Sequence, residues 1–185
     1  RSDKIAIQSD YKLSDLSFIE INGVPKKVPS FSFVNQNGKT ISNLENKETI
    51  LDYGCGKGDD LREMMAHGLD CIGWDPVYQP DVDLVVSDIV NLGYVINVIE
   101  DKEERLATLN KAYSLADKLL LVSAMLGTEE IFSKYKPYKD GVITQRNTFQ
   151  KYFMQAELRH YLETSLQNNA VAISPGIFAV FKDKE

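Results

Sequence analysis

Three glycines and three carboxylates share the run Ile50-Leu-Asp-Tyr-Gly-Cys-Gly-Lys-Gly-Asp-Asp60. Gly54, Gly56 and Gly58 fall on alternate positions, with Asp52 before them and Asp59 and Asp60 behind. Glycine admits backbone angles and close approaches that a Cβ would block, so a ligand can lie against this backbone. A Walker loop would need Gly-x4-Gly-Lys-Ser/Thr, which is absent. A dinucleotide loop would need Gly-x-Gly-x-x-Gly, but here the third glycine comes one residue early and Asp59 stands in its place. The first turn of a helix attracts phosphate, yet this one opens on Asp59 and Asp60, with Asp52 close by. Those charges repel a pyrophosphate and suit a ligand that has a positive centre and no phosphate.

S-adenosylmethionine meets that description, being a sulfonium, an amino acid and an adenosine. Its methionine part would lie on the loop, against Asp52, Gly54, Cys55, Gly56 and Gly58. Seventeen residues after Gly58, Asp75 and Pro76 close the apolar run Cys71-Ile-Gly-Trp74. An acid at the end of a second strand is placed for ribose hydroxyls. The competing reading makes 54–58 a tight turn and Asp75 a solvated strand end.

The elements that must position these residues can be read from periodicity. Ile50–Tyr53 is a strand. Asp59 is a candidate N-cap, Leu61, Met64 and Met65 stripe a helix, and Gly68 ends it. Cys71–Trp74 is a second strand, and Leu84–Asn91 contains a third. Asp101 and Glu104 have the spacing of a capping box, and Leu106, Leu109, Ala112, Tyr113 and Ala116 stripe the helix that follows. Lys118–Ala124 reads as a central parallel strand covered on both faces. Glu157–Leu166 is a helix, and a terminal antiparallel hairpin turns at Ser174-Pro-Gly176. Strands alternating with helices make an α/β sheet. Residues 1–43 read differently: 18–28 and 31–41 each carry an Asn-Gly between short β-like runs, the pattern of two small hairpins. The expected division is a β-rich appendage over 1–43 and a Rossmann-like domain over 44–185.

"LDYGCGKGDD" resembles motif I of the class I S-adenosylmethionine-dependent methyltransferases. Together with "GWDPVYQPD", "DIVNLGYVINVIEDKEERLATL", "TFQKYFMQAELRHYLE" and "PGIFAVF", it resembles the methyltransferases found with DNA phosphorothioation systems, over about residues 50–182. The resemblance implies a Rossmann-like sheet, seven-stranded in its full form. It also implies the cofactor at the carboxyl ends of the first, second and fourth strands, and methyl transfer as the activity. Only twelve residues separate Asp75 from Asp88. They cannot hold the helix and strand usual there, so a reduced third-strand edge is expected. No histidine occupies 94–99, which removes histidine acid–base catalysis from that position.

On the acceptor side, Asn91-Leu-Gly-Tyr94 matches the outer positions of the Asp/Asn/Ser-Pro-Pro-aromatic motif of amino-methylating DNA enzymes. There an oxygen accepts from the target amine and the aromatic stacks on an extruded base. Both prolines are missing, and the plain alternative is a strand end followed by a core tyrosine. From Lys134 to Arg159, six basic side chains (Lys134, Lys136, Lys139, Arg146, Lys151 and Arg159) stand against Asp140 and Glu157, a local excess of four. Tyr135, Tyr138, Phe149, Tyr152 and Phe153 interleave. Cations that track phosphates and aromatics that stack bases suit single-stranded or extruded nucleotides, although loop aromatics also simply pack. Within this segment Gln150, Lys151 and Tyr152 are the expected acceptor contacts, Lys151 and Tyr152 in catalytic roles beside Asn91 and Tyr94. Lys102–Arg105 reads as an ordinary solvated helix face and Trp74 as packing. His67 and His160 have no cysteine pair near them, so no metal is expected.

Composition limits the alternatives. The 43% hydrophobic and 26% charged residues suit one globular domain, and a net charge of −6 argues against a protein that coats nucleic acid throughout. Cys55 and Cys71 do not make a disulfide framework, so reduced thiols and a cytoplasmic location are expected. No apolar run approaches the ~18 residues of a membrane span, and no signal peptide is expected. The leading expectation is S-adenosylmethionine-dependent methyl transfer to nucleic acid, DNA above all. The alternatives are a non-catalytic cofactor-binding module of a modification complex and a small-molecule methyltransferase. Oligomeric state is not legible.

Overall fold

The computed structural model describes residues 20–21, 24–25 and 48–182. Near the N-terminus β1 (Glu20–Ile21) pairs antiparallel with β2 (Val24–Pro25), Ile21 opposite Val24, where the first hairpin is expected. The second expected hairpin, at 31–41, lies outside the described residues.

The main sheet has six strands. β3 (Thr49–Tyr53), β4 (Asp70–Trp74), β5 (Ser87–Gly93) and β6 (Ala116–Ser123) run parallel. β10 (Ala170–Ser174) and β11 (Ile177–Phe181) form the terminal hairpin, and β11 lies antiparallel on β6. The spatial order is β10-β11-β6-β5-β3-β4. β4 is therefore an edge. Residues 75–86, which follow it, form no helix or regular strand, only an isolated bridge between Asp75 and Gln79. This is the expected mostly parallel sheet with a reduced third-strand edge.

Alternation within the strands sends side chains to two layers. Leu51, Val90, Leu120 and Val122 meet α2 (Lys102–Leu115) and α4 (Gln155–Leu166) through Leu109, Ala112, Leu158 and Leu162. Ile50, Ile89 and Leu121 share the other layer with α1 (Asp59–Ala66) through Leu61 and Met64. By the same alternation Asp52 and Asn91, opposite each other in the register, belong to the α1 side.

Three local readings change. The N-cap of α1 is Gly58, left-handed and without a side-chain cap; Asp59 is already helical. Asp101 does cap α2, accepting from the amides of Glu103 and Glu104. The buried stripe of α2, however, is Arg105, Leu109, Ala112 and Leu115; Leu106 is exposed and Ala116 belongs to β6. Third, the stretch after β6 carries structure of its own: α3 (Glu129–Lys134) and a three-stranded antiparallel sheet of β7 (Lys136–Tyr138), β8 (Gly141–Ile143) and β9 (Phe149–Gln150).

Arg105 is far from a solvated surface cation, being only 2% exposed. Its Nη1 and Nη2 donate to the two carboxylate oxygens of Asp140 at 2.7 and 3.2 Å, and its Nε and Nη2 donate to the Ile99 carbonyl. Burial by itself would raise the Asp140 carboxyl, but Arg105 and then Lys151 hold it below the usual range. This fork ties the first turn of α2 to the β7–β8 connection.

Candidate functional site

All three glycines of the loop after β3 are left-handed, with φ of +83° at Gly54, +56° at Gly56 and +76° at Gly58. Two of them serve different ends. A Cβ on Gly54 would stand 2.5 Å from Cγ2 of Val95, so this glycine lets the chain after β5 fold down on the loop. A Cβ on Gly56 would meet nothing within 4 Å. That space belongs to a cavity of about 290 Å³ lined by Asp52, Gly54, Cys55, Gly56, Lys57, Asp59, Asp60 and Gly93. The cavity opens at the carboxyl ends of β3 and β5 and at the first turn of α1.

Backbone bonds hold the loop. The amides of Gly54 and Cys55 both donate to the Trp74 carbonyl, at 2.7 and 3.1 Å, and Gly58 donates to Cys55. Asp75 completes the fastening. Its Oδ2 accepts from the Gly56 amide at 3.0 Å, and its Oδ1 accepts from the amides of Val77 and Tyr78. Burial would raise this carboxyl, but those three amides bring it below its usual value. Asp75 is thus a brace between the loop and the turn after β4. A carboxylate offers about four lone-pair sites, so one remains for an outside hydroxyl. Pro76 is exposed in the same turn.

Asp52 is 3% exposed and has an amide neighbour: Nδ2 of Asn91 donates to its Oδ1 at 2.8 Å. Burial, with the charge of Asp60 adding to it and the Asn91 bond opposing it, pushes its pKa up to about 6. Asn91 is itself only 1% exposed, because β5 continues two residues beyond it to Gly93. It orients Asp52 and does not line the cavity, contrary to its expected place facing a target amine. Cys55 lies against Gly73, whose added Cβ would sit 2.9 Å from its Sγ, and it accepts from the Gln79 side chain. Burial, with Asp52 and Asp75 adding, pushes its thiol up to about 11.

Tyr94 follows β5 with φ +59°, a left-handed backbone rare for a bulky side chain. Its amide donates to the Ser123 carbonyl at 2.9 Å, and the residue is 37% exposed. Burial, then the charge of Asp60, raises its hydroxyl above the usual 10. It does not begin a helix; the turn over 96–98 follows it and α2 starts at Lys102.

The basic segment is divided. Lys151, expected at the acceptor, is 7% exposed; its Nζ donates to Glu157 at 2.7 Å and its amide donates to the Asn97 carbonyl. Lys139 pairs with Glu100 at 2.5 Å. Gln150 turns its side chain back on the Lys151 carbonyl. Tyr152 lies nearly parallel to Tyr135, centroids 6.2 Å apart, with Phe132 edge-on to it. Lys134 lies over the Tyr135 ring, while Lys136 and Arg146 are exposed.

Lys57 and Gly93 line the cavity without having been read as ligand contacts. A glycine ending a strand is a usable signal of close approach; Lys57 gave none beyond its place in the loop. Asp59, besides its reading as an N-cap, and Asp60 carry only charge in the sequence reading, with no ligand contact expected of either. Asp59 forms an ion pair with Arg62. Among the described residues no three His, Cys, Asp or Glu side chains gather as metal ligands would, and no helix is long and apolar enough to cross a membrane.

No family model matches the chain, and no curated protein does. Solved structures do. The chain is similar to the 1,6-didemethyltoxoflavin N1-methyltransferase of Burkholderia thailandensis (13% identity, 78% of this chain and 75% of that one, TM-score 0.53). It is also similar to the sugar N-methyltransferase KedS8 of a Streptoalloteichus species (13%, 78% and 83%, TM-score 0.55). A Rhodobacter sphaeroides protein described provisionally as a Zn-dependent alcohol dehydrogenase matches at 13%, 78% and 88%, TM-score 0.50. At such identity the likeness establishes a Rossmann-like fold alone. None of these matches speaks for the phosphorothioation-associated family.

Proposed function

We propose that this domain binds S-adenosylmethionine in the cavity below the glycine loop and transfers its methyl group. The observation that carries the reading is the open space at Gly56 in a cavity walled by Asp52, Asp59 and Asp60. Backbone can approach a ligand there, and the wall favours one bearing positive charge. The bound cofactor would supply a methyl on a cationic sulfur; on transfer the C–S electron pair stays on sulfur, leaving a neutral thioether, while the acceptor's lone pair forms the new bond. Asp52 and Asp60 would hold the cationic part, the 54–56 backbone would seat it, and the spare lone pair of Asp75 would accept from a ribose hydroxyl. Much of the protein's task in such a displacement is to align the two reactants and exclude water. Tyr94, standing where β5 ends beside Asp60, is positioned to pack against the acceptor.

Nucleic acid, in a DNA-modification setting, is the narrower acceptor reading. Exposed Lys136 and Arg146, Lys134 over the Tyr135 ring and the Tyr135–Tyr152 stack support it, together with the sequence resemblance to phosphorothioation-associated enzymes. A small-molecule acceptor is the second reading. It is favoured by the commitment of Lys139 and Lys151 to carboxylates, and two structural neighbours are named for 1,6-didemethyltoxoflavin and a sugar.

Isothermal titration with S-adenosylmethionine and S-adenosylhomocysteine tests the shared claim, and binding of neither would remove it. Short oligonucleotides titrated across a salt series then separate the acceptors. Phosphate contact releases counterions, so affinity should fall steeply with salt, and Lys134/Lys136/Arg146→Ala should flatten the slope. Oligonucleotide binding that is undetectable or indifferent to salt would leave the small molecule.

A further inference from the structure

We propose that Asp52, with Asp60 beside it, makes this site read charge: it holds the sulfonium cofactor in preference to the neutral thioether product, so that product leaves as fresh cofactor enters. The inference rests on the cofactor reading above and adds a specificity-determining residue to it.

The geometry is that of a carboxylate built into the cavity wall. Asp52 is 3% exposed, on a central strand, and lines the cavity. Its neighbours do little to neutralise it. Asn91 on β5 donates one neutral amide. Asp60 on α1 adds a like charge. Cys55 on the loop and Cys71 on β4 both face Asp52, and burial, with that charge adding, pushes both thiols up to about 11, so both stay neutral. Asp75 faces Cys55 from the end of β4 with a third carboxylate. Across the cavity, Lys57 and Asp59 also line the wall, with Arg62 paired to Asp59. Among the described residues Lys57 is the one cation lining the cavity, and its Nζ lies over the exposed Tyr78 ring, 5.7 Å from the centroid.

An ionised carboxylate in this position is short of positive partners, and a cationic ligand supplies one. Cofactor and product share the adenosine and the amino acid; they differ by one methyl group and the positive charge it leaves on sulfur. A round cavity of about 290 Å³ is about 8 Å across, a distance at which an unscreened unit charge still shifts affinity roughly tenfold. The discrimination should also depend on pH, because Asp52 takes up a proton near pH 6.

The test is calorimetric titration of the whole chain with S-adenosylmethionine, S-adenosylhomocysteine and sinefungin, which carries an ammonium-bearing carbon where the sulfonium stands, between pH 5 and 8. At pH 7.5 both cationic ligands should bind roughly tenfold tighter than the neutral product. The gap should close toward pH 5. Asp52→Asn should bring all three ligands within about twofold while retaining the product's affinity, and Asp60→Asn should narrow the gap in part. Thermal melts of both variants check that they fold. Product binding as tight as cofactor at pH 7.5, or a full preference surviving in a folded Asp52→Asn protein, overturns the proposal and leaves the cofactor reading standing. Failure of all three ligands to bind the wild-type chain removes both.

Discussion

An ionised Asp52 with one amide neighbour is a local cost to the fold, and its sign can be worked out. The group titrates near 6 in the folded chain against a usual 3.8, so between those values the native state holds a proton that the unfolded chain has released. Its effect on stability is therefore neutral below about pH 4, falls as pH rises toward 6, and at pH 7 amounts to a loss of at most about 3 kcal/mol. Asp52→Asn should raise unfolding free energy in urea by about 1–3 kcal/mol at pH 7 and by little at pH 4. Equal gains at both pH values would show that the carboxylate is not strained by burial. A stabilising substitution that also loses ligand discrimination is the pattern expected where a site holds strain for function. Gly56 offers the complementary experiment. A valine there should abolish cofactor binding by filling open space, and its left-handed backbone adds roughly 1–2 kcal/mol of destabilisation. Unchanged affinity in a folded Gly56→Val protein would make the loop a mere turn. The loop was readable because glycine spacing and carboxylates are both written in residue type. The burial of Asn91 was not, because it depends on where β5 ends, and strand ends are set by pairing with β6 rather than by local preference.

The strands and helices of the sheet came through because their apolar runs are long and their caps are spelled out, as at Asp101. The stripe of α2 was misread by part of a turn for a specific reason. Hydrophobic periodicity assigns Leu106 to the core and Arg105 to water, yet Arg105 goes inward because Asp140, thirty-five residues away in sequence, meets it. No local pattern announces a pair of that separation. The β7–β9 sheet was missed on the same principle: strands of two or three residues show no alternation to read. The pair also makes a prediction about the element it anchors. Arg105→Ala leaves the Asp140 carboxylate with Lys151 at 3.7 Å and the more weakly acting Lys102, and breaking a buried pair typically costs about 3–5 kcal/mol. Amide exchange should accelerate most over residues 136–150, whose attachment to α2 runs through this fork. Uniform acceleration across the central sheet would instead make Arg105 a general support of the core. Asp140, held below its usual value, contributes stability that is present at neutral pH and is lost as pH falls through and below the ordinary carboxylate range.

At the scale of the molecule, the missing third strand leaves β4 at the sheet edge and makes the turn over 75–79 the outer wall of the glycine loop. Sequence spacing foretold the reduced edge, since twelve residues cannot house a helix and a strand. It could not foretell that Asp75 would turn inward to brace the loop, because the amides of Gly56, Val77 and Tyr78 come together only in three dimensions. The edge turn thus backs the loop of a cavity that spans β3, β5 and α1, so ligand binding there should stabilise the domain as a unit. At a hundredfold excess over the dissociation constant the gain is about 2.7 kcal/mol, which in a domain of this size raises the melting temperature by about 5–10 °C. Asp75→Ala removes the brace and the acceptor left for a ribose hydroxyl together. If that weakens binding by about 1–3 kcal/mol, the shift at the same ligand concentration should shrink by about a third to nine-tenths. A thermal shift measured with S-adenosylhomocysteine on both proteins decides it. An undiminished shift in the alanine variant would mean that the loop holds its shape without the edge turn and that the ribose is bound elsewhere. A shift that shrinks while the variant's unliganded melting temperature stays unchanged would assign Asp75 to the ligand; a lowered unliganded value would assign part of its effect to the brace.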